Sequence, residues 1–308
     1  MRLAYSTVFV FVPIPMFPSH VSPHVFFFMV VLLVSALIAW LVWENVALTV
    51  ERIEVPVEAL SPEFDGFRIA QVSDLHGQRF DPAGREAQVI MNAGVDLIAV
   101  TGDFVHGNHI VGLRRILPFM RKLVSIAPVC AVSGNHDHWT NWPYIAAGLK
   151  GVGVTVLENS HVRIKRGTQE IVLAGVSCPH SRHGSLAQAL PLQTVVPVVP
   201  VVLLVHAATW FEPWHRVKPP AELKQVALTL AGHTHGGQVK LPFLGAVTTA
   251  SGHLFPPKKY VEGLSRQGNG WLYINRGLGQ GGRAFRFLSR REITIITLRR
   301  TSAPVGSI

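Results

Sequence analysis

In five places along this chain an apolar, β-branched run stops just short of residues whose side chains bind metals. The runs cover 67–72, 97–100, 129–132, 201–205 and 226–230. They end at Asp74-Leu75-His76, Gly102-Asp103, Gly134-Asn135-His136-Asp137, a lone His206, and Gly232-His233-Thr234-His235. Buried strands of a layered α/β protein open onto a common edge, and side chains just past their ends meet there. Stretches with helical spacing at 81–93 and 110–123 alternate with the runs and would cover the sheet. The pattern therefore constrains the chain to an α/β fold that gathers two carboxylates, one amide oxygen and four imidazoles at one rim. That is more than a single ion needs.

Taken singly the motifs carry little, because Gly, Asn and Asp also make turns. Gly-His-Thr-His says more, since alternate residues on extended chain point the same way. Five clusters in order, each at a strand end, leave little room for coincidence.

The N-terminal part reads differently. Residues 25–43 carry no charge, and that length matches the ~20 residues that cross a bilayer as a helix. Trp40 and Trp43 sit toward one end, where interfacial aromatics collect. The apolar stretch is longer than the ~7–15 residues of a signal peptide core, so an uncleaved single-pass anchor is expected. The flank after it holds Glu44, Glu51 and Glu54 against Arg52 alone, which favours an extracytoplasmic catalytic domain. The expected organisation is an N-terminal segment (1–24), a transmembrane helix (25–43), a linker (44–60), one catalytic domain (61–300) and a tail (301–308).

The formal charge of +10 favours anionic partners. Its basic residues are scattered in pairs such as Arg114-Arg115 and Lys258-Lys259, and no nucleic acid partner is expected. Cys130 and Cys178 lie in apolar stretches and read as buried free thiols.

Aspartate can bridge two ions, histidine supplies nitrogen and asparagine a neutral oxygen. Two divalent ions ~3.5–4 Å apart suit in-line displacement at phosphorus. Their four positive charges against two carboxylates leave a field that attracts a phosphate ester. A phosphoester hydrolase follows.

These motifs in this order resemble the calcineurin-like metallophosphoesterase superfamily over residues 67 to about 298. The string Gly-His-Thr-His-Gly-Gly-Gln at 232–238 and Arg276-Gly-Leu-Gly279 are similar to its bacterial membrane-anchored phosphodiesterase branch. The resemblance implies a sandwich of two mixed β-sheets flanked by α-helices, and two divalent ions (manganese, iron or zinc). It implies Asp74, His76, Asp103 and His235 on one ion, and Asp103, Asn135, His206 and His233 on the other. His136 would assist departure of the leaving oxygen. The chain departs from the pattern at His106, where many members have an aspartate that orients this histidine, and at Ala207-Ala208, where Asn-Pro is common. Arg276 and Arg283, with Arg286 beyond them, are candidates to grip a substrate phosphate or headgroup.

The expected activity is hydrolysis of a phosphodiester or pyrophosphate in an amphiphilic substrate near the bilayer. Lipid-linked nucleotide sugars, such as the UDP-diacylglucosamine split by related enzymes, are one candidate. A phosphomonoesterase or cyclic-nucleotide phosphodiesterase, and a metal-binding scaffold without catalysis, stand as alternatives.

Overall fold

The computed structural model describes residues 22–301 apart from 108, 180–183, 192–198, 216–218, 251 and 283–284. It divides into two compact units at Val42 and Trp43. The first contributes most of helix α1 (Pro23–Val46), whose most apolar 18-residue window has mean hydropathy 2.9. That helix is long and apolar enough to cross a membrane.

The second unit is a sandwich of two six-stranded mixed sheets. The first sheet draws on β1 (Leu48–Val57), β2 (Arg68–Val72), β3 (Leu97–Val100), β4 (Val129–Ala131), β5 (Thr155–Val156) and, last in the chain, β14 (Arg291–Arg300). Their order is β1-β14-β2-β3-β4-β5, with only the β14–β2 pair antiparallel. The second sheet is built from β6 (Ser160–Arg166), β7 (Gln169–Gly175), β8 (Val201–Leu204), β9 (Val226–Ala231), β12 (Gly263–Gln267) and β13 (Gly270–Ile274). It runs β12-β13-β9-β8-β7-β6, parallel except at its two edges. A two-stranded hairpin, β10 (Lys240–Leu241) with β11 (Gly245–Ala246), stands apart.

Period-two alternation sorts the strand residues into layers. Ile69, Leu97 and Ala99 of the first sheet meet Leu173, Val202, Leu204 and Leu230 of the second in one buried cluster. The alternate residues Ala70, Val72, Ile98 and Val100 face outward under α2 (Arg85–Asn92), α3 (Val111–Val124) and α5 (Trp142–Gly151), the last preceded by the short α4 (Asn135–Thr140). On the other flank Val172, Ala174 and Leu203 pack against the short α6 (Leu186–Ala189). Cys130 and Cys178 are buried and form no disulfide, as the sequence suggests.

One expectation fails here. Residues 44–60 are not a linker: Leu48–Val57 pairs in parallel with all of Arg291–Arg300. Glu51, Arg52, Glu54 and Pro56 disguise the strand, but an edge strand tolerates charges and a proline because one of its sides makes no ladder bonds. The folded core therefore starts before residue 61.

Phe64 is fully buried between the sheets, 5.5 Å from the ring of Phe67. Phe64→Ala should cost about 3–5 kcal/mol, read as a lowered midpoint in thermal or denaturant unfolding. A midpoint close to wild type would show that the sheets do not close on this side chain.

Candidate metal centre

The carboxyl ends of β2, β3, β4, β8 and β9 all open on one rim, and the chain turns sharply after β2, β3 and β9. Asp74, His76, Asp103, His233 and His235 adopt left-handed backbone, with φ of 53, 48, 55, 71 and 53°. Non-glycine residues rarely do so, and such strain gathers where a side chain must be aimed. The turns are cross-braced. Asp137 accepts hydrogen bonds from the backbone N–H of Gly134 and Phe104 at 2.8 Å and of Val105 at 3.1 Å. It thereby ties the Gly-Asp loop to the Gly-Asn-His-Asp loop. A side chain at Gly281 would lie 2.6 Å from His235 Nε2, so only glycine lets that loop approach so closely.

All seven expected ligands converge. Asp74, His76 and His235 each offer one atom within a 4.8 Å group, and Asp103, His206 and His233 form a second such group. Asn135 joins the second, with its Oδ1 at 3.0 Å from His206 Nε2. Asp103 stands between the two: its Oδ2 is 3.7 Å from His76 Nε2 and 3.3 Å from His206 Nε2.

These residues fit a pair of cations. His76 Nε2 faces His235 Nε2 at 3.0 Å, and His233 Nδ1 faces His206 Nε2 at 3.1 Å. Asp74 Oδ1 is buried without a hydrogen-bond partner. A set of buried lone pairs aimed at one another is costly unless a positive charge lies among them. Burial pushes His76 down to about 3 and His235 well below its ordinary value, so both are neutral, as ligands must be. Burial likewise lifts Asp74 to about 6. Burial also pushes His206 down, but the Asp103 and Asp74 carboxylates and the Thr101 carbonyl together outweigh it and raise His206 to about 9. His206 Nδ1 donates to the Thr101 carbonyl at 2.7 Å, which leaves Nε2 for the centre.

His136 lines a cleft of about 320 Å³ beside these groups, together with Asp103, Asn135, Trp139, His233 and Gly281. Its expected carboxylate partner is absent: His106 stacks on it, ring centroids 5.0 Å apart. The Gly107 backbone N–H donates to His136 Nδ1 at 2.9 Å instead. That bond fixes the proton of the neutral ring on Nε2. Burial holds His136 below its ordinary value. A backbone amide carries no side-chain signature, so the sequence could not reveal this partner. Trp139, whose ring centroid is 4.6 Å from that of His136, was also missed.

The arginine expectations fare differently. Arg276 is not free to grip a phosphate: it pairs with Glu292 at 2.7 Å, Glu51 at 2.9 Å and Glu262 at 3.5 Å. Arg286 is fully buried and donates to the carbonyls of Arg276, Gly277 and Ser289. Both hold loops in place. Arg283 lies outside the described residues.

Comparison with known proteins identifies the family. The sequence model described as calcineurin-like phosphoesterase matches residues 67–237. The chain is similar to the metallophosphoesterase YkuE of Bacillus subtilis, 32% identical over 255 residues, covering 78% of this chain and 81% of that one. It is also similar to the phosphodiesterase YaeI of Escherichia coli, 29% identical over 248 residues, covering 75% and 82%. The UDP-2,3-diacylglucosamine pyrophosphatase LpxG of Chlamydia muridarum is 24% identical over 286 residues, covering 75% and 83%.

Two outcomes test this geometry. Below pH 9 a bound ion must displace the proton that Asp103 retains on His206. Manganese affinity should therefore climb with pH toward about 9, with proton release visible by calorimetry in buffers of different ionisation enthalpy; pH-independent binding would contradict it. Gly281→Ala should weaken metal binding by crowding His235, while the unfolding midpoint stays near wild type. Unchanged affinity would show that the loop yields.

Proposed function

The chain belongs to the calcineurin-like phosphoesterase family and is a phosphoric ester hydrolase, and on that premise we propose a membrane-anchored, binuclear enzyme that cleaves a phosphodiester or pyrophosphate bond. Asp74, His76 and His235 would hold one divalent ion, and Asn135, His206 and His233 the other, with Asp103 between them. The observation that carries this is the single Asp103 oxygen facing both groups, 3.7 Å from His76 Nε2 and 3.3 Å from His206 Nε2. The mixed nitrogen and oxygen donors suit manganese, iron or zinc. Such ions, when bound, supply Lewis acidity toward phosphoryl oxygens and make water a stronger nucleophile.

The protein's own groups do the rest. Buried walls keep bulk water from the carboxylates, and Asp137 keeps the two ligand loops in register. His136, neutral with its proton on Nε2, is the donor for the departing oxygen. Because it gives a hydrogen bond from a neutral ring, a leaving group that is already a stable anion suits it best. A pyrophosphate or activated diester meets that requirement better than a simple alkyl ester.

The apolar helix argues for an amphiphilic substrate met at the bilayer, and the single basic residue in the flank after it, Arg52, for a catalytic unit outside the cytoplasm. The similarity to LpxG makes a lipid-linked nucleotide one substrate class to try.

The full chain in detergent with manganese should hydrolyse bis-p-nitrophenyl phosphate. Asp103→Ala should abolish both turnover and tight metal binding. His136→Ala should keep its metal but lose ~10²–10⁴-fold in kcat. Full metal content without turnover in the wild type, on this diester and on pyrophosphate diesters, would sink the hydrolase mechanism proposed here.

A further inference from the structure

Beside the cleft, three segments are hydrogen-bonded into one platform that presents large apolar side chains to solvent. The β10–β11 hairpin exposes Leu241, Phe243 and Leu244, with Phe243 at its tip as open as in an extended chain (108%). The loop after it exposes Leu254 and Phe255, and is tied back by Phe255 N–H to the Val247 carbonyl. The third segment exposes Phe285 and Leu288, and is held by Lys240 N–H to the Phe287 carbonyl and Gln238 Nε2 to the Phe285 carbonyl. Exposed apolar surface of this extent marks an interaction site in a stable fold.

A second observation points the same way. Phe243, Phe255 and Leu288 all take left-handed backbone, with φ of 66, 47 and 56°. Glycine or asparagine would occupy such turns with less strain and less exposed apolar surface. These bulky side chains are thus held outward against both local preferences.

The surroundings name the partner. Neither 239–261 nor 277–291 contains an aspartate or glutamate. Exposed Lys258 and Lys259 follow Phe255 closely, and exposed Arg290 follows Leu288. The adjoining Glu262 is taken up by ion pairs with Lys240 and Arg276, and an apolar platform flanked by Lys258, Lys259 and Arg290 matches a bilayer with anionic headgroups. The platform is also continuous with the end of the apolar helix. Asn45, in its last turn and part of the catalytic unit, accepts from Arg286 N–H at 2.8 Å and Gln280 Nε2 at 2.6 Å.

We infer that this platform docks on the membrane surface, inserting Phe243, Leu244 and Phe255 among the headgroups and holding the mouth of the cleft at the bilayer. The inference rests on the anchored enzyme proposed above. It deepens that reading by making the lipid surface itself a wall of the substrate path: Thr248, Thr249 and Ala250, which line the cleft, lie between the hairpin and the Phe255 loop.

The test reconstitutes the full chain in phosphatidylcholine vesicles with or without phosphatidylglycerol. Phe243→Cys carries an environment-sensitive nitrobenzoxadiazole label, the two native cysteines being buried. Thr168→Cys is the control, exposed in the β6–β7 turn at the end of the sheet away from the metal centre. The Phe243 probe should shift to shorter wavelength and be quenched by nitroxide confined to acyl chains, more strongly with phosphatidylglycerol; the Thr168 probe should show neither. Equal solvent exposure of the two probes overturns the inference. So does a shift that appears in detergent with rising protein concentration, which would assign the platform to a second copy of the chain. Turnover of bis-p-nitrophenyl phosphate in the same samples separates failed docking from failed hydrolase chemistry. Release of the chain by alkaline carbonate would remove the anchor on which the inference stands.

Discussion

Two carboxylates and four imidazoles packed together away from water form an assembly that is unstable on its own terms. Burial lifts Asp74 to about 6 and pushes His76 down to about 3, each toward its uncharged form. Cations among the lone pairs reverse that cost, and much of the surrounding architecture holds the pairs where cations can use them. Asp137 donates no ligand. It takes three backbone N–H groups and so fixes the loops that carry Asp103 and Asn135. Strain at five left-handed residues is borne by the parallel strands beneath them, whose core residues are buried on both faces.

Why was so much of this centre legible in the sequence? Each candidate ligand follows a short, mainly apolar run rich in Val, Ile, Leu and Ala that reads as an interior strand, and parallel strands end on one rim. Position along the chain thus converts directly into position in space. Asp74, Asp103, Asn135, His206, His233 and His235 needed no long-range information beyond that rule. The rest depended on partners the sequence does not mark. Arg276 resembled a phosphate anchor because its carboxylates are remote: Glu51 lies 225 residues away, on a strand hidden by its own charges. The partner of His136 is a backbone amide, which no residue type announces.

β1 shows how an edge strand can matter to a site it never touches. Its pairing with β14 brings Glu51 to Arg276, whose other contacts are Glu262 and the buried Glu292. Glu292 in turn accepts from Tyr273, Asn275 and Thr294. A half-buried cation is held by such partners more firmly than an exposed one, because less water screens it. The charged stretch that looked like a linker thus supplies one of the three carboxylates that hold Arg276 in place.

The same reasoning connects the centre to the start of the folded unit. Gly281 lies against His235, Gln280 is bonded to Asn45, and Arg286 fastens the loop's far side to the carbonyls of Arg276 and Gly277. Trp43 packs under the Arg290 guanidinium, 4.3 Å from its ring centroid, which adds a second attachment to the same segment. The loop over the first ligand group is thus clamped at one side by the sandwich and at the other by the last turn of the apolar helix. A displacement of residues 43–46 within this unit has to break the Asn45 hydrogen bonds or carry the loop with it. Either outcome bears on the room at His235, so residues 43–46 of the catalytic unit are mechanically coupled to the candidate metal centre.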